Sequence, residues 1–362
     1  MTDDLVQRVS AQLPVMRRNA APLDEAATFP TEDMIVLGEV GALAVPLPMD
    51  GGDVDATTEL LVSLLTLIGS GNLSVGRLFE AHVNALQLIG RYGTISQRNA
   101  AREGAARGEL HALWVTDATA GGVRMIPTLD EWKLAGAKMF CSGAGHVAHA
   151  VVVASTTDGE QQMLILPMGR GERATFLPGQ MQGMRSAVTG TVDFTGVAAG
   201  REAILGRPGD YMREPDFSCG AWRGSAVALG GLCALLDVAI AELNARDRIN
   251  EPNQLARLGH TMIARETSRL WVRNAALIAE DKRAEPDEAV AYVGLARIAV
   301  ETACLDAMRL VQRSLGLSAF RHGHAAERIC RDLGTYLRQP APDEVLSEAA
   351  SWFAHRPSRD AP

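Results

Sequence analysis

Two histidine pairs are among the side chains in this sequence that are suited to chemistry. His146 and His149 are spaced as HxxH, and His322 and His324 are spaced as HxH. Imidazoles act as metal ligands and as general acids or bases. A metal site needs further ligands, which the sequence does not place beside either pair, so we predict no metal site. The four residues are interpreted as loop histidines, with a catalytic role as the alternative.

An acidic pair near the end of the chain offers a possible general base. Asp343 and Glu344 follow Pro340 and Pro342. A carboxylate can remove a proton next to a carbonyl group. The same two residues also suit a helix start, because Asp is a good N-cap and Glu is favourable in a first turn. The sequence therefore predicts a last helix over 343–353 and leaves the base role as an alternative.

Composition bounds the class of protein. The chain has 362 residues, with 35 Lys and Arg against 43 Asp and Glu, and a net charge of −8 argues against nucleic-acid binding. Five scattered cysteines without a CxxC motif predict buried thiols in a reducing compartment. The most apolar run, 224–236, is too short and too rich in glycine for a membrane span, and no secretory signal is visible. We expect a cytoplasmic protein that does not span a membrane.

Three blocks of secondary structure must position these side chains. Residues 1–108 show the spacing of helices, and residues 109–206 contain short runs rich in Val, Thr and aromatic residues that predict a small, barrel-like antiparallel β domain. Residues 207–362 return to the helical period, with long helices predicted over 221–244, 253–282 and 287–315. The predicted fold class is therefore α+β, in the order helices, β domain, helices.

Five local motifs occur in an order that a known protein family shares. They are EVGALAVPLPMDGG (39–52), WVTDATAGG (114–122), EWKLAGAKMFCSGAGHVAHAVVVAS (131–155), GMRSAVTGTVDFTGV (183–197) and AERICRDLGTY (326–336). Together they resemble the acyl-CoA dehydrogenase superfamily over about residues 25–350. The resemblance implies an N-terminal helical domain, a middle antiparallel β domain and a C-terminal four-helix bundle. It also implies bound FAD, redox chemistry at flavin N5, and a homodimer or homotetramer.

The resemblance assigns flavin contacts in the β domain. Val115 and Thr116 match the strand end whose threonine bonds the flavin ring, and Ser142 matches the hydroxyl that faces N5. Phe140 stands where the family has a tryptophan, so it keeps the aromatic face but lacks the indole N–H. Without the resemblance, Thr116 and Ser142 would be interpreted as ordinary polar residues of strands.

The resemblance also assigns contacts to the phosphates and the adenine of FAD. Gly121 and Gly122 match the pyrophosphate loop, although Gly122 replaces a serine, so one side-chain contact is lost. Gln312 and Gly316 match a motif that reaches the adenine half of FAD in a neighbouring subunit. Arg248 matches a phosphate-binding arginine, with a surface arginine as the equally weighted alternative.

The usual catalytic base is missing. In the most common branch of the family it is a glutamate eight residues after the aspartate of the R-D pair, and eight residues after Asp332 is Pro340. Proline supplies neither a carboxylate nor the backbone N–H that polarises the thioester carbonyl in the family. Asp343 or Glu344 would have to replace it. Arg223 matches a family arginine on the substrate side of the first long bundle helix.

Three functions are consistent with these residues. The leading prediction is an FAD-dependent oxidoreductase of acyl-CoA dehydrogenase type with a non-standard base, acting on a thioester of CoA or of a carrier protein. The alternative is a monooxygenase that takes reduced flavin from a partner reductase and needs no carboxylate base. The third is a non-catalytic member of the family. A dehydrogenase would also need an electron-transfer partner.

Overall fold

The computed structural model describes residues 2–47, 54–169, 171, 173–176 and 180–355. The described chain begins with helices, as predicted. They are α1 (Thr2–Ala26), α2 (Thr31–Glu39), α3 (Val54–Gly71), α4 (Leu73–Tyr92) and α5 (Ile95–Ala106). Helix α4 starts after Asn72, whose side chain accepts a hydrogen bond from the Ser74 N–H at 2.9 Å, which is the usual role of an N-cap asparagine.

Short strands follow, at the positions where the β domain is predicted. They are β1 (His111–Trp114), β2 (Arg124–Pro127), β3 (Trp132–Ala135), β4 (Ala137–Cys141), β5 (His149–Ser155), β6 (Gln161–Pro167), β7 (Ala174–Thr175), β8 (Gly190–Asp193), β9 (Ala198–Ala199) and β10 (Ile204–Leu205). Strands β5 and β6 are the longest, and β5 is buried over five consecutive residues, as expected for a central strand.

Helices make up the remainder of the described chain. They are α6 (Asp216–Cys219), α7 (Ala221–Ala245), α8 (Pro252–Glu280), α9 (Pro286–Leu315), α10 (Ala325–Tyr336) and α11 (Pro342–His355). The predicted ends of α7, α8 and α9 lie within two residues of the observed ends. Proline at the first helical position starts both α8 and α9, because its missing N–H needs no partner there.

The β strands form two sheets, and one of them is mixed. In the larger sheet, β1 and β2 both pair with β5 in parallel, whereas β5–β6, β2–β3, β3–β9 and β6–β10 are antiparallel. The smaller sheet has the antiparallel order β4–β8–β7. The predicted antiparallel β domain therefore also contains two parallel pairings. Alternation along one strand does not reveal the direction of its neighbour.

The structure divides into two compact units. The first comprises residues 1–53 and 71–213, and the second comprises residues 54–70 and 214–362. The predicted domains 1–108, 109–206 and 207–362 therefore stay a prediction. In the first unit, the core packs α4 and α5 against β5 and β6 through residues such as Leu86, Ile89, Val151 and Met163. Burial of apolar area at about 25 cal/mol per Å² is the main term holding such a core together.

In the second unit, α9 packs against α7, α8 and α11, which gives the predicted four-helix bundle. Helix α3 also belongs to this unit and crosses α7 at glycines. A Cβ placed on Gly69 would lie 2.6 Å from the Val227 carbonyl oxygen, so the two backbones approach more closely than side chains would allow.

Two further expectations concern segments outside this core. Residues 48–52 of the first motif lie outside the described residues. Among the described residues, one helical segment, Asp216–Ala245, is long and apolar enough to cross a membrane by length and composition, and 67% of its most apolar window is buried inside the protein. A buried core helix of a water-soluble protein would pass the same test, so this segment is weak evidence for a membrane span.

Candidate functional site

A bulge in β4 turns Phe140 outward. The register of β4 against β8 shifts between Lys138 and Cys141, and Phe140 lies within the shift with a φ of 56°. Positive φ is uncommon for a bulky residue, and such bulges re-aim side chains. The Phe140 side chain is accordingly exposed (54%). The aromatic face that the resemblance requires is therefore available for packing against a planar ligand.

A buried lysine holds the strand end next to Phe140. Lys138 is only 2% exposed, its Nζ donates to the Val115 carbonyl at 2.7 Å, and it forms an ion pair with Asp117. The Met139 N–H donates to the Thr116 carbonyl at 2.9 Å. These contacts place the exposed Thr116 side chain and the half-buried Val115 beside β4, and the contact of both residues with a flavin stays a prediction.

The glycine loop leaves no room for a side chain at Gly122. A Cβ on Gly122 would overlap the Asp117 carboxylate and lie 2.6 Å from its Oδ1. Gly121 has a φ of 132°, which favours glycine. The serine usual in the family would therefore require Asp117 to move, and the Gly121 N–H and carbonyl are already bonded to Ala118 and Ala137.

Ser142 is buried rather than facing open space. It is 4% exposed, and its hydroxyl lies 3.3 Å from Arg77 Nε and 3.4 Å from Thr189 Oγ1. Its carbonyl accepts from the Trp114 indole N–H at 3.0 Å. The prediction that this hydroxyl faces a flavin atom stays a prediction, and the structure gives it Arg77 and Thr189 as partners.

Sequence reasoning missed a polar cluster on α4. Arg77 forms an ion pair with Glu80, and Asn84 Nδ2 donates to Glu80 Oε1 at 2.5 Å. Glu80 is 6% exposed. Because a buried helix is otherwise apolar, an arginine, a glutamate and an asparagine at spacings of three and four on one helix would have been the signal.

In the second unit, the residues assigned to adenine and phosphate lie at one end of the bundle. Arg246 Nη1 donates to the Leu315 carbonyl at 3.4 Å, which joins the α7–α8 loop to the end of α9. Arg248 in that loop donates twice to Glu251, at 2.8 and 2.9 Å. Gln312 hydrogen-bonds Cys330, and Gly316 ends α9 with a φ of 62°. Arg248 and Gln312 already have internal partners.

Arg223 is likewise held inside the second unit. It is 5% exposed, pairs with Glu280 at 3.2 Å, and its guanidinium lies 5.3 Å from the centre of the Trp222 ring. Glu280, at the end of α8, is a carboxylate that sequence reasoning did not connect with Arg223. The predicted contact of Arg223 with substrate stays a prediction.

The acidic pair lies at the start of α11. The helix begins at Pro342, so Asp343 and Glu344 are both exposed residues of its first turn. The prediction that Asp343 is the N-cap is wrong, because Asp343 is the second residue of the helix. The Pro340 carbonyl accepts from Arg297 Nη2 at 2.6 Å, which fixes the preceding loop. Negative charge in a first turn stabilises a helix by about 0.3–1 kcal/mol, so this placement alone accounts for both acids.

His146 and His324, one histidine from each pair, have structural partners. The rings of His146 and Phe29 stack at 4.3 Å. His324 caps α10, with Nδ1 accepting from the Ala326 N–H at 3.1 Å, and pairs with Glu242. No cluster able to hold a metal ion occurs among the described residues. Burial raises the pKa of the Cys141 thiol to about 12, so it is no nucleophile at neutral pH.

Comparisons with known proteins agree with this fold and these motifs. No family model matches the chain. The chain is 24% identical over 335 residues to the mitochondrial short-chain specific acyl-CoA dehydrogenase of Rattus norvegicus, covering 86% of this chain and 80% of that protein. Among solved structures, butyryl-CoA dehydrogenase of Megasphaera elsdenii is similar with a TM-score of 0.84, 18% identity and 98% coverage of both chains. FMN-bound TdsC, a dibenzothiophene monooxygenase of Paenibacillus sp. A11-2, is similar with a TM-score of 0.86, 17% identity and 99% coverage of both.

The arrangement of helices, a mixed sheet and a helical bundle defines the fold class of these flavoproteins, and it confirms the predicted α+β fold class. The curated matches to acyl-CoA dehydrogenases cover most of the chain at 24% identity. The chain is therefore similar to members of the acyl-CoA dehydrogenase superfamily in sequence and in fold.

Proposed function

We propose that this protein is a flavin-dependent oxidoreductase that acts on an acyl thioester or a similar carbonyl substrate. The observation that carries the proposal is that Phe140 and Thr116 are both exposed, on two segments that the buried Lys138 and the Met139 N–H join. An exposed aromatic face and a neutral hydroxyl beside it suit a planar ring with polar edges.

We propose FAD as the flavin. Gln312 and Gly316 retain part of the adenine-binding motif, and Gly121 and Gly122 match the pyrophosphate loop, although the Gly121 N–H donates to the Ala118 carbonyl. FMN is the alternative, because Gly122 lacks the hydroxyl of the usual serine and because FMN is bound in TdsC.

A bound flavin would accept a hydride from the substrate. A base of the protein would have to take up the proton that the substrate loses. Asp343 and Glu344 are the proposed bases, because Pro340 has no carboxylate. Both are exposed in the first turn of α11, so each would have to reach the substrate from the helix start. Arg223 is the proposed contact of the chain with the substrate.

A visible absorbance spectrum of protein purified without added flavin, repeated after incubation with FAD or FMN, tests the cofactor. The flavin released on denaturation is then identified by chromatography. Bleaching of the bound flavin by a panel of acyl thioesters under anaerobic conditions would support the dehydrogenase. Loss of that bleaching in Asp343→Asn or Glu344→Gln, but not in Glu348→Gln further along the same helix, would identify the base. Protein that takes up neither flavin would overturn the proposal and favour a non-catalytic member.

A monooxygenase using reduced flavin is the second candidate. The observation that favours it is Pro340, where neither a base nor a backbone donor is present and the carbonyl is already engaged by Arg297. The test supplies reduced flavin from a reductase, oxygen and candidate aromatic substrates. Oxygenated product without any bleaching by thioesters would favour this candidate over the dehydrogenase.

We also propose a homodimer or homotetramer in the cytoplasm, with CoA or a carrier protein as the thioester carrier. The partner for electrons would be an electron-transferring flavoprotein for the dehydrogenase and a flavin reductase for the monooxygenase. We propose no nucleic-acid partner, since the net charge of the chain is −8.

A further inference from the structure

Helix α4 carries a charged group that no assigned role uses. Arg77 and Glu80 form an ion pair, and Asn84 braces the same carboxylate from one turn further along. Their neighbours on the helix, including Leu78, Phe79 and Val83, are fully buried apolar residues. Arg77, Glu80 and Asn84 therefore form a polar cluster on a helix whose neighbouring residues are buried and apolar.

A contribution to the stability of the folded protein does not explain this polar cluster. A buried carboxylate is costly unless it is paired, and a buried ion pair is often no more stabilising than apolar residues of the same volume. Helix α4 begins at Leu73, so Arg77 and Glu80 lie beyond its first turn, and the helix end does not require them. The effect of the pair is to fix the direction of the Arg77 guanidinium.

The guanidinium contacts Ser142, the residue that the resemblance assigns to the flavin. Arg77 Nε lies 3.3 Å from Ser142 Oγ, and Ser142 follows the end of β4, two residues after the exposed Phe140. Ser142 itself is 4% exposed and the Glu80 side chain is 8% exposed, whereas the Arg77 side chain is 28% exposed. Of these three side chains, Arg77 is therefore the one that a ligand can reach.

We propose that Arg77 is a catalytic residue that binds the substrate's carbonyl or carboxylate oxygen beside the flavin, and that Glu80 and Asn84 are the residues that position it. The proposal rests on the proposed function. A guanidinium supplies a fixed positive charge and several N–H donors, which is what an oxygen gaining negative charge requires.

The first test measures the two-electron reduction potential of the bound flavin by dye equilibration. A nearby positive charge favours the reduced flavin, so Arg77→Met lowers the potential by more than about 30 mV, a tenfold change in the equilibrium constant at 29.6 mV per decade. Glu80→Gln removes a negative charge and shifts the potential upward. Arg77→Lys keeps the charge and stays close to the wild type.

Opposite shifts in Arg77→Met and Glu80→Gln distinguish an electrostatic role from a structural one, because loosening the site would move both potentials in the same direction. The matched control is Arg8→Met, which breaks an exposed i,i+4 pair with Asp4 on α1 and leaves the potential unchanged. If Arg77→Met fails to retain flavin, Arg77→Lys and Glu80→Gln still carry the test.

The second test uses the thioester that bleaches the flavin fastest. Arg77→Met lowers kcat at least 100-fold, in the range found for loss of an oxyanion donor, with a smaller change in KM, and Arg77→Lys recovers part of the loss. Wild-type protein that binds no flavin would refute the proposed function. Wild-type protein that binds flavin, with an unchanged potential and kcat in Arg77→Met, would refute the role of Arg77 alone.

Discussion

At the scale of single residues, the buried ammonium of Lys138 fixes the strand end that carries Thr116. Asp117→Ala removes the ion-pair partner of this ammonium, which then keeps its hydrogen bond to the Val115 carbonyl. We expect this substitution to lower the free energy of unfolding by about 1–3 kcal/mol. Lys138→Met, which removes the charge as well, costs less.

Urea unfolding of the two single variants and of the double variant checks this prediction. The double variant should be more stable than the sum of the single losses implies, since the two residues are coupled. Strictly additive losses would mean that Asp117, whose side chain is 56% exposed, contributes nothing to the burial of Lys138.

Three neighbouring histidines predict sensitivity to acid. The rings of His82 and His111 lie 5.5 Å apart and those of His111 and His149 lie 5.1 Å apart. Burial lowers the pKa of His82 to about 4 and that of His111 to about 3, and lowers that of His149, which also faces Glu109 and Arg107. The folded protein keeps these rings neutral at a pH where the unfolded chain has already protonated them.

The sign follows from the binding of protons. Below a pH of about 6.5 the unfolded state binds more protons than the folded state, so stability is complete above that pH and is lost as the pH falls toward 4. We expect a loss of about 2 kcal/mol for each of His82 and His111 at pH 5. Urea midpoints from pH 8 to 4.5 measure it. His111→Phe, which keeps the backbone N–H that bonds His82, should flatten the profile, and an unchanged slope would contradict the assignment.

At the scale of elements, glycines set the crossing of α3 and α7. A Cβ on Gly230 would overlap the Thr66 carbonyl oxygen and lie 2.7 Å from the Ser70 nitrogen. Backbone atoms cannot rotate away, so Gly230→Ala must push the two helices apart, and we expect a loss of about 2–3 kcal/mol. Urea unfolding with an unchanged m value measures it.

The control is Gly259→Ala on α8, where no atom lies within 4 Å of the added Cβ. That variant should gain about 0.5–1 kcal/mol, because alanine is the better helix former. Equal stability of Gly230→Ala and the wild type would mean that α3 and α7 do not pack this closely in solution.

At the scale of the whole molecule, the sequence predicted the ends of the long helices better than the pairing of the β strands. The ends of α7, α8 and α9 follow from local signals such as Pro252 and Pro286, which depend on neighbours in the chain. The parallel pairing of β1 with β5 depends on where distant segments meet, and no local pattern encodes it. The two-residue strands β7, β9 and β10 are too short to show a period.

The same distinction applies to the candidate site. Thr116 and Phe140 were predicted as flavin contacts because they lie inside recognisable motifs, and the structure places both side chains on the surface. The cluster of Arg77 and Glu80 was not predicted. Arg77 contacts Ser142, which lies 65 residues away along the chain, and no local sequence pattern encodes such a contact. Two of the residues assigned to the adenine half, Arg248 and Gln312, were predicted as ligand contacts but have partners that the motif does not reveal.

The expected self-association provides the last prediction. A groove of about 640 Å³ on the second unit is lined mostly by apolar side chains, including Ile263, Trp271, Leu310 and Leu346. Ile263 is 63% exposed, and large exposed apolar surfaces are typical of subunit interfaces. We expect light scattering after gel filtration to give a dimer or tetramer, and Ile263→Glu to shift it to a smaller species. Leu129→Glu, at a fully exposed turn residue of the first unit, should leave the mass unchanged. A monomeric wild type would overturn the proposed assembly, and an unaffected Ile263→Glu oligomer would place its interface on another surface.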